Sequence, residues 1–409
     1  MSNFKKKVVV ALFTCLIFAL AVYFNCYYAY FSNSEEIKSF LSGNVSASGI
    51  VSVAVNTVRG YYDKLALEKG ELTKPAYTGP FIEMYGLTQR VLGNDVIISK
   101  IPGETVFKTR DNRLVLEKLH SVYNYSDRMK SLKSFSQWVN DKGIDFFVAQ
   151  APTKEVEDDE YPLGMDQEKN ANDCIVESLH ENGIPYIDFR KNPEISTDSS
   201  DWHYRTDHHW TAETAFLSSR YLVKELNAVY GYGLDESILN MENFNRELHE
   251  NIFFGSAGKK TGIPFAGKED FEIYIPKAED TDFSVEFVHI SGPAEKREGT
   301  FEEMFIFRNN LEASYYKGFM YETYMDGDHS IFKIVNNNTE SDKRIVVIKD
   351  SYANALVPYL AMVTKEIVMI DPRWYEASMQ NYIEDYNPDA VVLVYNPGAY
   401  LEEVFFDFD

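Results

Sequence analysis

The sequence predicts an α/β protein, a parallel sheet with helices on both faces. Short runs dominated by Val, Ile and Phe recur at 95–99, 143–149, 344–349, 367–370 and 390–395. They lack polar alternation, as strands buried on both sides must. Segments with apolar residues at helical spacing separate them. At 409 residues, 45% hydrophobic and 25% charged, the chain is long and apolar enough to close a large core.

Lys5, Lys6 and Lys7 precede an apolar run from Val8 to about Phe31. A helix of about 20 such residues spans the hydrocarbon core of a bilayer, and the lysines would hold its start in the cytoplasm. Residues 1–31 are therefore expected to be a membrane anchor that places the rest of the chain outside the cytoplasm. The rival is a signal peptide cleaved near Ala19-Leu20-Ala21. Residues 32–80 read as a stem, rich in Ser, Gly and Asn over 42–52 and punctuated by Pro75, Gly79 and Pro80. A single domain, 81–409, follows.

Within it, 126–140 has helical spacing (Met129, Leu132, Phe135, Trp138, Val139), and 171–182 reads as a helix before a strand at 184–189. A strong helix is expected over 211–229, with Ala215, Leu222 and Leu226 on its apolar face and Gly231 beyond its end. Residues 250–342 carry Gly/Pro turns and aromatic pieces at 271–275, 283–290 and 301–307, read as a β-rich antiparallel insertion. The parallel pattern then resumes at 344, with a helix over 354–364 that meets Pro358 early.

Charge and cysteine use narrow the partners. With 40 basic and 63 acidic residues the net charge is -23. Setting aside the three N-terminal lysines leaves 37 against 63, or -26, for the part beyond them. Such a surface excludes nucleic acid and disfavours anionic polymers. Cys15 and Cys26 fall in the apolar run, so Cys174 stands alone outside it and no intramolecular disulfide forms there. Cys174 is expected to be a small buried residue.

Two segments carry chemistry. Residues 201–211 hold three His, two Asp and two Trp in a loop that leads into a helix. Lys349-Asp350-Ser351-Tyr352-Ala353-Asn354 sits where a strand ends and a helix begins, the place where open α/β sheets bind ligands. A serine there lies under the positive end of a helix, whose free N–H groups stabilise an oxyanion. Ser351, His209 and Asp207 supply a nucleophile, a base and a carboxylate to orient the base. The competing readings are Ser351 as a helix cap and a metal site built from His203, His208, His209 and Asp207; His208 by itself reads as structural or substrate-facing rather than catalytic. Trp202 and Trp210 fit the core or a sugar-facing platform. Gly255–Gly262 misses the phosphate-loop spacing and is expected to be a tight loop lining the site, with Ser256 or Gly258 offering a donor. Arg373 ends a strand where it can bind substrate or brace the site, and Asp326-Gly-Asp328-His329 reads as a polar turn.

The segment Thr206-Asp207-His208-His209-Trp210-Thr211 resembles the signature of the DHHW family. Over about 90–409 the chain resembles the alginate O-acetyltransferases of the AlgX/AlgJ type in the SGNH hydrolase-like group. Supporting stretches are Asp95–Lys100, Ala151-Pro-Thr-Lys154, Tyr186–Phe189 and Gly255–Gly262. The resemblance implies an SGNH hydrolase-like, flavodoxin-like fold with a permuted order, Asp-x-His before Ser. It implies Asp207 as orienting acid, His209 as general base and Ser351 as nucleophile, with the Ser351 or Tyr352 N–H as first oxyanion donor and Asn396 as second. It also implies a membrane-bound O-acyltransferase as acetyl source. The expectation is an exported polysaccharide O-acetyltransferase, without a cofactor or metal, acting on a neutral or weakly charged glycan. A deacetylase or esterase with the same triad, or a non-catalytic glycan-binding component of an export complex, are the alternatives.

Overall fold

In the structure, a computed structural model, residues 75–98, 104–118, 125–154, 156, 160, 171–290, 292–313, 315–316 and 318–409 are described. The expected anchor and the stem up to residue 74 lie outside them. Among the described residues no helix is long and apolar enough to cross a membrane. The end of the expected stem is helical: α1 runs Pro75–Leu92, with Pro75 at the first position, where its missing N–H is tolerated. Residues Gly79–Asp409 form one compact unit.

Strands β1 (Val96–Ile98), β2 (Glu104–Lys108) and β3 (Leu114–Lys118) make a separate antiparallel sheet, so the 95–99 run does not join the main one. Helix α2 (Ser126–Asp141) leads to β4 (Asp145–Gln150), and α3 (Ala171–Glu181) to β5 (Tyr186–Asp188). Helix α4 (Ala212–Tyr230) begins at Thr211, whose side chain accepts from the Thr214 N–H, and ends at Gly231 with φ 67°. A left-handed residue closes a helix most cheaply as glycine. There follow β6 (Phe244–Phe253), α5 (Ser256–Thr261), α6 (Ile263–Ala266), β7 (Glu269–Pro276), β8 (Phe283–His289), β9 (Glu295–Gly299), α7 (Phe301–Phe305) and β10 (His329–Asn336). The chain finishes with β11 (Arg344–Lys349), α8 (Val357–Ala361), β12 (Glu366–Ile370), α9 (Met379–Tyr386) and β13 (Ala390–Tyr395).

The main sheet has eight strands in the order β5-β4-β13-β11-β12-β10-β8-β9. The first five are parallel. Strand β10 then pairs antiparallel with β12 and β8, and β8 with β9. The sheet is therefore mixed: β8, β9 and β10 of the 250–342 segment extend its edge, while β6 and β7 pair with each other. The 301–307 piece, expected as a strand, contains α7 instead. Thr300 and Glu303 form a capping box there, a local signal that outweighs the β-propensity of its phenylalanines.

Alternate residues of the central strands enter two cores. Val347, Met369 and Val392 face one with Trp210, Phe216 and Leu222. Val346, Val368 and Leu393 face the other with Leu132, Phe135 and Ile175. Both sides being apolar, the strand sequences show no alternation. On α3 the buried residues are Ala171, Asn172, Ile175 and Leu179. Cys174 falls off that stripe and is exposed, contrary to the buried position expected for it.

Leu393 is fully buried in the central strand. Leu393→Ala should lower unfolding free energy by about 2–5 kcal/mol through lost transfer energy and the cavity left behind. Chemical denaturation should show the midpoint falling with an unchanged m-value.

Candidate active site

The carboxyl ends of β11, β13 and β4 bring Ser351, Asn396 and the 151–154 loop to one edge of the sheet. Asp350 follows β11, and its side chain accepts from the Tyr352 N–H at 2.9 Å, opening a 3-10 turn over Ser351–Ala355. Asp350 is thus the cap, and the Ser351 hydroxyl is free for other work. The expected helix over 354–364 divides into this turn and α8, which admits Pro358 in its first turn.

The 206–209 loop comes from the other side. His209 Nε2 lies 2.7 Å from Ser351 Oγ, and His209 Nδ1 lies 2.7 Å from Asp207 Oδ1. The His209 N–H donates to the same Asp207 oxygen at 2.9 Å, and the Ser256 N–H donates to Oδ2 at 2.6 Å. The i, i+2 spacing lets Asp207 hold both backbone and ring of His209. Tyr321 stacks on the His209 ring at 3.9 Å and 9°.

Burial pushes the Asp207 carboxyl up, but His209, His208 and their hydrogen bonds outweigh it and hold it well below the usual carboxylate range. The His209 imidazole is brought down to about 4 by burial first and by neighbouring His208 second, against the pull of Asp207. At neutral pH it is therefore uncharged, with Nδ1–H donating to Asp207 and a lone pair on Nε2 facing the serine. Both ring nitrogens of His209 have protein partners, Nδ1 on Asp207 and Nε2 on Ser351 Oγ. Asp207, His208 and His209 do offer ligand atoms within 4.8 Å of one another. His203, the other histidine of the expected cluster, is buried with Nε2 3.2 Å from the Pro152 carbonyl.

The remaining expected site residues separate. Ser256 lines the groove, and its Oγ lies 2.7 Å from His208 Nδ1. The glycine-rich stretch begins helix α5 rather than an open loop. Gly258 is no donor to the site, because its N–H is used on the Thr206 carbonyl. Trp210 is fully buried, with Nε1 on Tyr321 Oη and the Tyr352 carbonyl, so it is packing and not a sugar platform. Trp202 is likewise buried. The Tyr352 N–H is taken by Asp350, which leaves the Ser351 N–H as the backbone donor at this turn. Asn396 donates both its backbone N–H and Nδ2 to Asp350 Oδ2 at 2.6 Å, and its Oδ1 accepts from Gly398. One Nδ2 hydrogen remains. Arg373 lines the groove while bonded to Asp371 and Asp328, which also hold buried Lys349. It braces the strand ends.

Several members were not singled out from sequence. Tyr321 carries no local signal. Gly255 does so only in retrospect: a Cβ there would lie 2.3 Å from Asp207 Cβ and 2.4 Å from Oδ2. The groove, about 540 Å³, is lined by Ser351, His208, Ser256, Asn396, Phe319 and Phe405 among others. Lys259, Lys260 and Arg373 line it together with Asp350 and Glu402, so acid is not in surplus on this surface as it is in the chain as a whole.

Ser, His and Asp come together at the carboxyl edge of an α/β sheet, a constellation that serine hydrolases of several folds share. The profile for an SGNH hydrolase-like domain, acetyltransferase AlgX, matches residues 111–249, a span holding Asp207 and His209 and ending before Ser351. Bacillus cereus PatB1 superposes with TM-score 0.62 at 22% identity, over 75% of this chain and 100% of that one. A structure of the same protein with a sulfonyl adduct gives 0.59 at 22% identity, over 74% and 99%. A DHHW family protein from Eubacterium siraeum DSM 15702 gives 0.56 at 19% identity, over 76% and 96%. These likenesses show a shared fold. No curated protein matches the chain.

Two measurements check this geometry. The His209 ring should titrate in NMR with a midpoint near pH 4, neutral above and cationic below; a midpoint near the ordinary value of about 6.5 contradicts the buried arrangement. Gly255→Ala should displace Asp207, moving the His209 resonances while the far-ultraviolet circular dichroism stays unchanged.

Proposed function

We propose that the chain is an exported serine acyl-ester enzyme, an O-acetyltransferase that places acetyl groups on hydroxyls of an extracytoplasmic polysaccharide. The observation that carries this reading is the unbroken chain of hydrogen bonds from Asp207 through His209 to Ser351, with the serine opening into a groove. A serine hydroxyl becomes nucleophilic when an imidazole takes its proton.

In the first half-reaction His209 Nε2 takes the Ser351 proton as Oγ attacks the acetyl carbonyl. Developing negative charge on the carbonyl oxygen is met by the Ser351 N–H and the remaining Nδ2 hydrogen of Asn396. The donor's leaving group departs with the proton from His209. In the second, a sugar hydroxyl gives its proton to His209 and attacks the acetyl carbon. The carbon–Oγ bond breaks and Oγ recovers the proton. Asp207 stays ionised throughout and stabilises the imidazolium that forms in each half.

The acetyltransferase description of the matching profile supports transfer over hydrolysis. In this reading residues 1–31 tether the chain to the membrane, and a membrane-bound O-acyltransferase supplies the acetyl group. The low pH at which His209 protonates leaves the base neutral across the whole neutral range.

Because PatB1 is known with a sulfonyl adduct, a sulfonyl fluoride is a fitting probe. It should label Ser351 in the wild type, and Ser351→Ala should abolish both labelling and release of acetate from an activated acetyl ester. His209→Ala should slow both on the order of 10⁴-fold. Undiminished labelling of His209→Ala would refute its role as base. A serine-free variant that still acetylates polysaccharide in cells would overturn the covalent mechanism.

A further inference from the structure

We infer that His208 and His209 together read a vicinal pair of hydroxyls on the acceptor sugar, His208 binding the hydroxyl beside the one that His209 deprotonates. This deepens the triad reading and rests on it. His208 has no place in the proton transfers, yet its ring is held with care. Tyr352 Oη donates to its backbone carbonyl. Its Nδ1 lies 2.7 Å from Ser256 Oγ and 3.2 Å from Asp207 Oδ1. Its ring centroid is 3.9 Å from that of His209, at 37°.

Bracing Asp207 does not account for this placement. That carboxylate already accepts from the His209 ring, the His209 N–H and the Ser256 N–H, all at 2.9 Å or less. The His208 contact is the longest of the four. Nor is His208 a core residue. Its side chain is 43% exposed and lines the groove beside Ser351. By contrast, buried His203 and His329 each turn Nε2 to a backbone carbonyl.

The neighbours assign the tautomer. An ionised carboxylate beside Nδ1 favours a hydrogen there, which leaves the lone pair on Nε2, the one polar atom of the ring without a protein partner among the described contacts. An imidazole so fixed accepts from a hydroxyl at little further ordering cost. His209 presents the same acceptor atom to Ser351 from an adjacent ring braced on the same Asp207 oxygen. Two acceptors on adjacent rings, with centroids 3.9 Å apart, suit two neighbouring hydroxyls of one sugar. During transfer His209 takes the proton of the attacked hydroxyl and returns it to Ser351 Oγ, as the acetyl–Oγ bond breaks. His208 neither gains nor loses a proton, so it positions the acceptor.

The test uses the full-length protein, acetylated from p-nitrophenyl acetate, and measures the ratio of acetylated sugar to free acetate. Methyl glucopyranoside is compared with its monodeoxy derivatives. In the wild type, loss of the hydroxyl neighbouring the acetylated one should lower the ratio by about 2- to 10-fold, the worth of one hydrogen bond. In His208→Ala that preference should shrink to about one, with an increased acceptor KM, and His208→Gln should restore part of it. A wild type indifferent to the neighbouring hydroxyl overturns the proposal without any variant. His208→Ala that keeps the preference overturns it too, while Ser351 acetylation leaves the triad reading standing. A wild type that forms no acetyl-Ser351 defeats both.

Discussion

The site depends on a carboxylate that must stay charged while fully enclosed. Taking Asp207 out of water costs several kcal/mol unless its lone pairs are met. They are met by the His209 ring and N–H and by the Ser256 N–H. Each donor imposes a demand elsewhere. The Ser256 N–H reaches Asp207 because α5 begins at that residue, and its N-terminal amides have no partner within the helix. The approach needs Gly255, where a methyl group would collide with the carboxylate. The loop is fixed from behind by half-buried Glu269, which accepts from the Arg205 and Thr206 N–H groups and the Thr206 hydroxyl. Lys154 lies opposite, donating to the carbonyls of Leu114 and Arg205. Burial lowers this lysine to about 8. A loop with so many polar groups satisfied is rigid enough to act as a scaffold.

The serine side is organised by a second acid. Asp350 joins β11 to β13 by accepting from Tyr352 and from both nitrogens of Asn396. One residue therefore sets both the turn that presents Ser351 and the position of the Asn396 side chain. Burial raises its carboxyl to about 6, against the pull of those hydrogen bonds. Beneath it, Lys349 and Arg373 share Asp328 and Asp371. Removing one partner of such a buried set leaves an uncompensated charge, so these pairs specify the arrangement of the strand ends more than they stabilise the fold.

Much of this was legible in the sequence, for reasons that lie in its local patterns. The strands at 344–349 and 390–395 are unmistakable because both their faces are apolar, and α4 because it has a cap, an amphipathic face and a terminal glycine. The meeting of Asp207, His209 and Ser351 was legible because the first two sit two residues apart and the serine follows a buried strand. What depends on distant partners was not. The antiparallel edge of β10, β8 and β9 looks like an insertion because short alternating strands do not reveal which sheet they join. Asn396 and Asp350 are separated by 46 residues, and no spacing rule links them. Tyr321 lies 112 positions after His209, and only packing makes it the floor of that ring. Cys174 was misplaced because its composition suggested burial, whereas the phase of α3 decides it.

The order Asp, His, Ser along the chain is immaterial to the chemistry, since a triad is defined by reach and not by sequence. What matters is the device that brings two loops together. The 206–211 loop opens α4, and the 350–355 turn follows β11, with both packed into the same core. Trp210 is the joint between them: from the residue after His209 its Nε1 bonds the carbonyl of the residue after Ser351, and Tyr321 Oη closes the same contact. A buried indole N–H seeks a partner, and here both partners, Tyr321 and Tyr352, also pack beside the His209 ring. Trp210 therefore ties the loop that carries His209 to the turn that carries Ser351, without itself lining the groove.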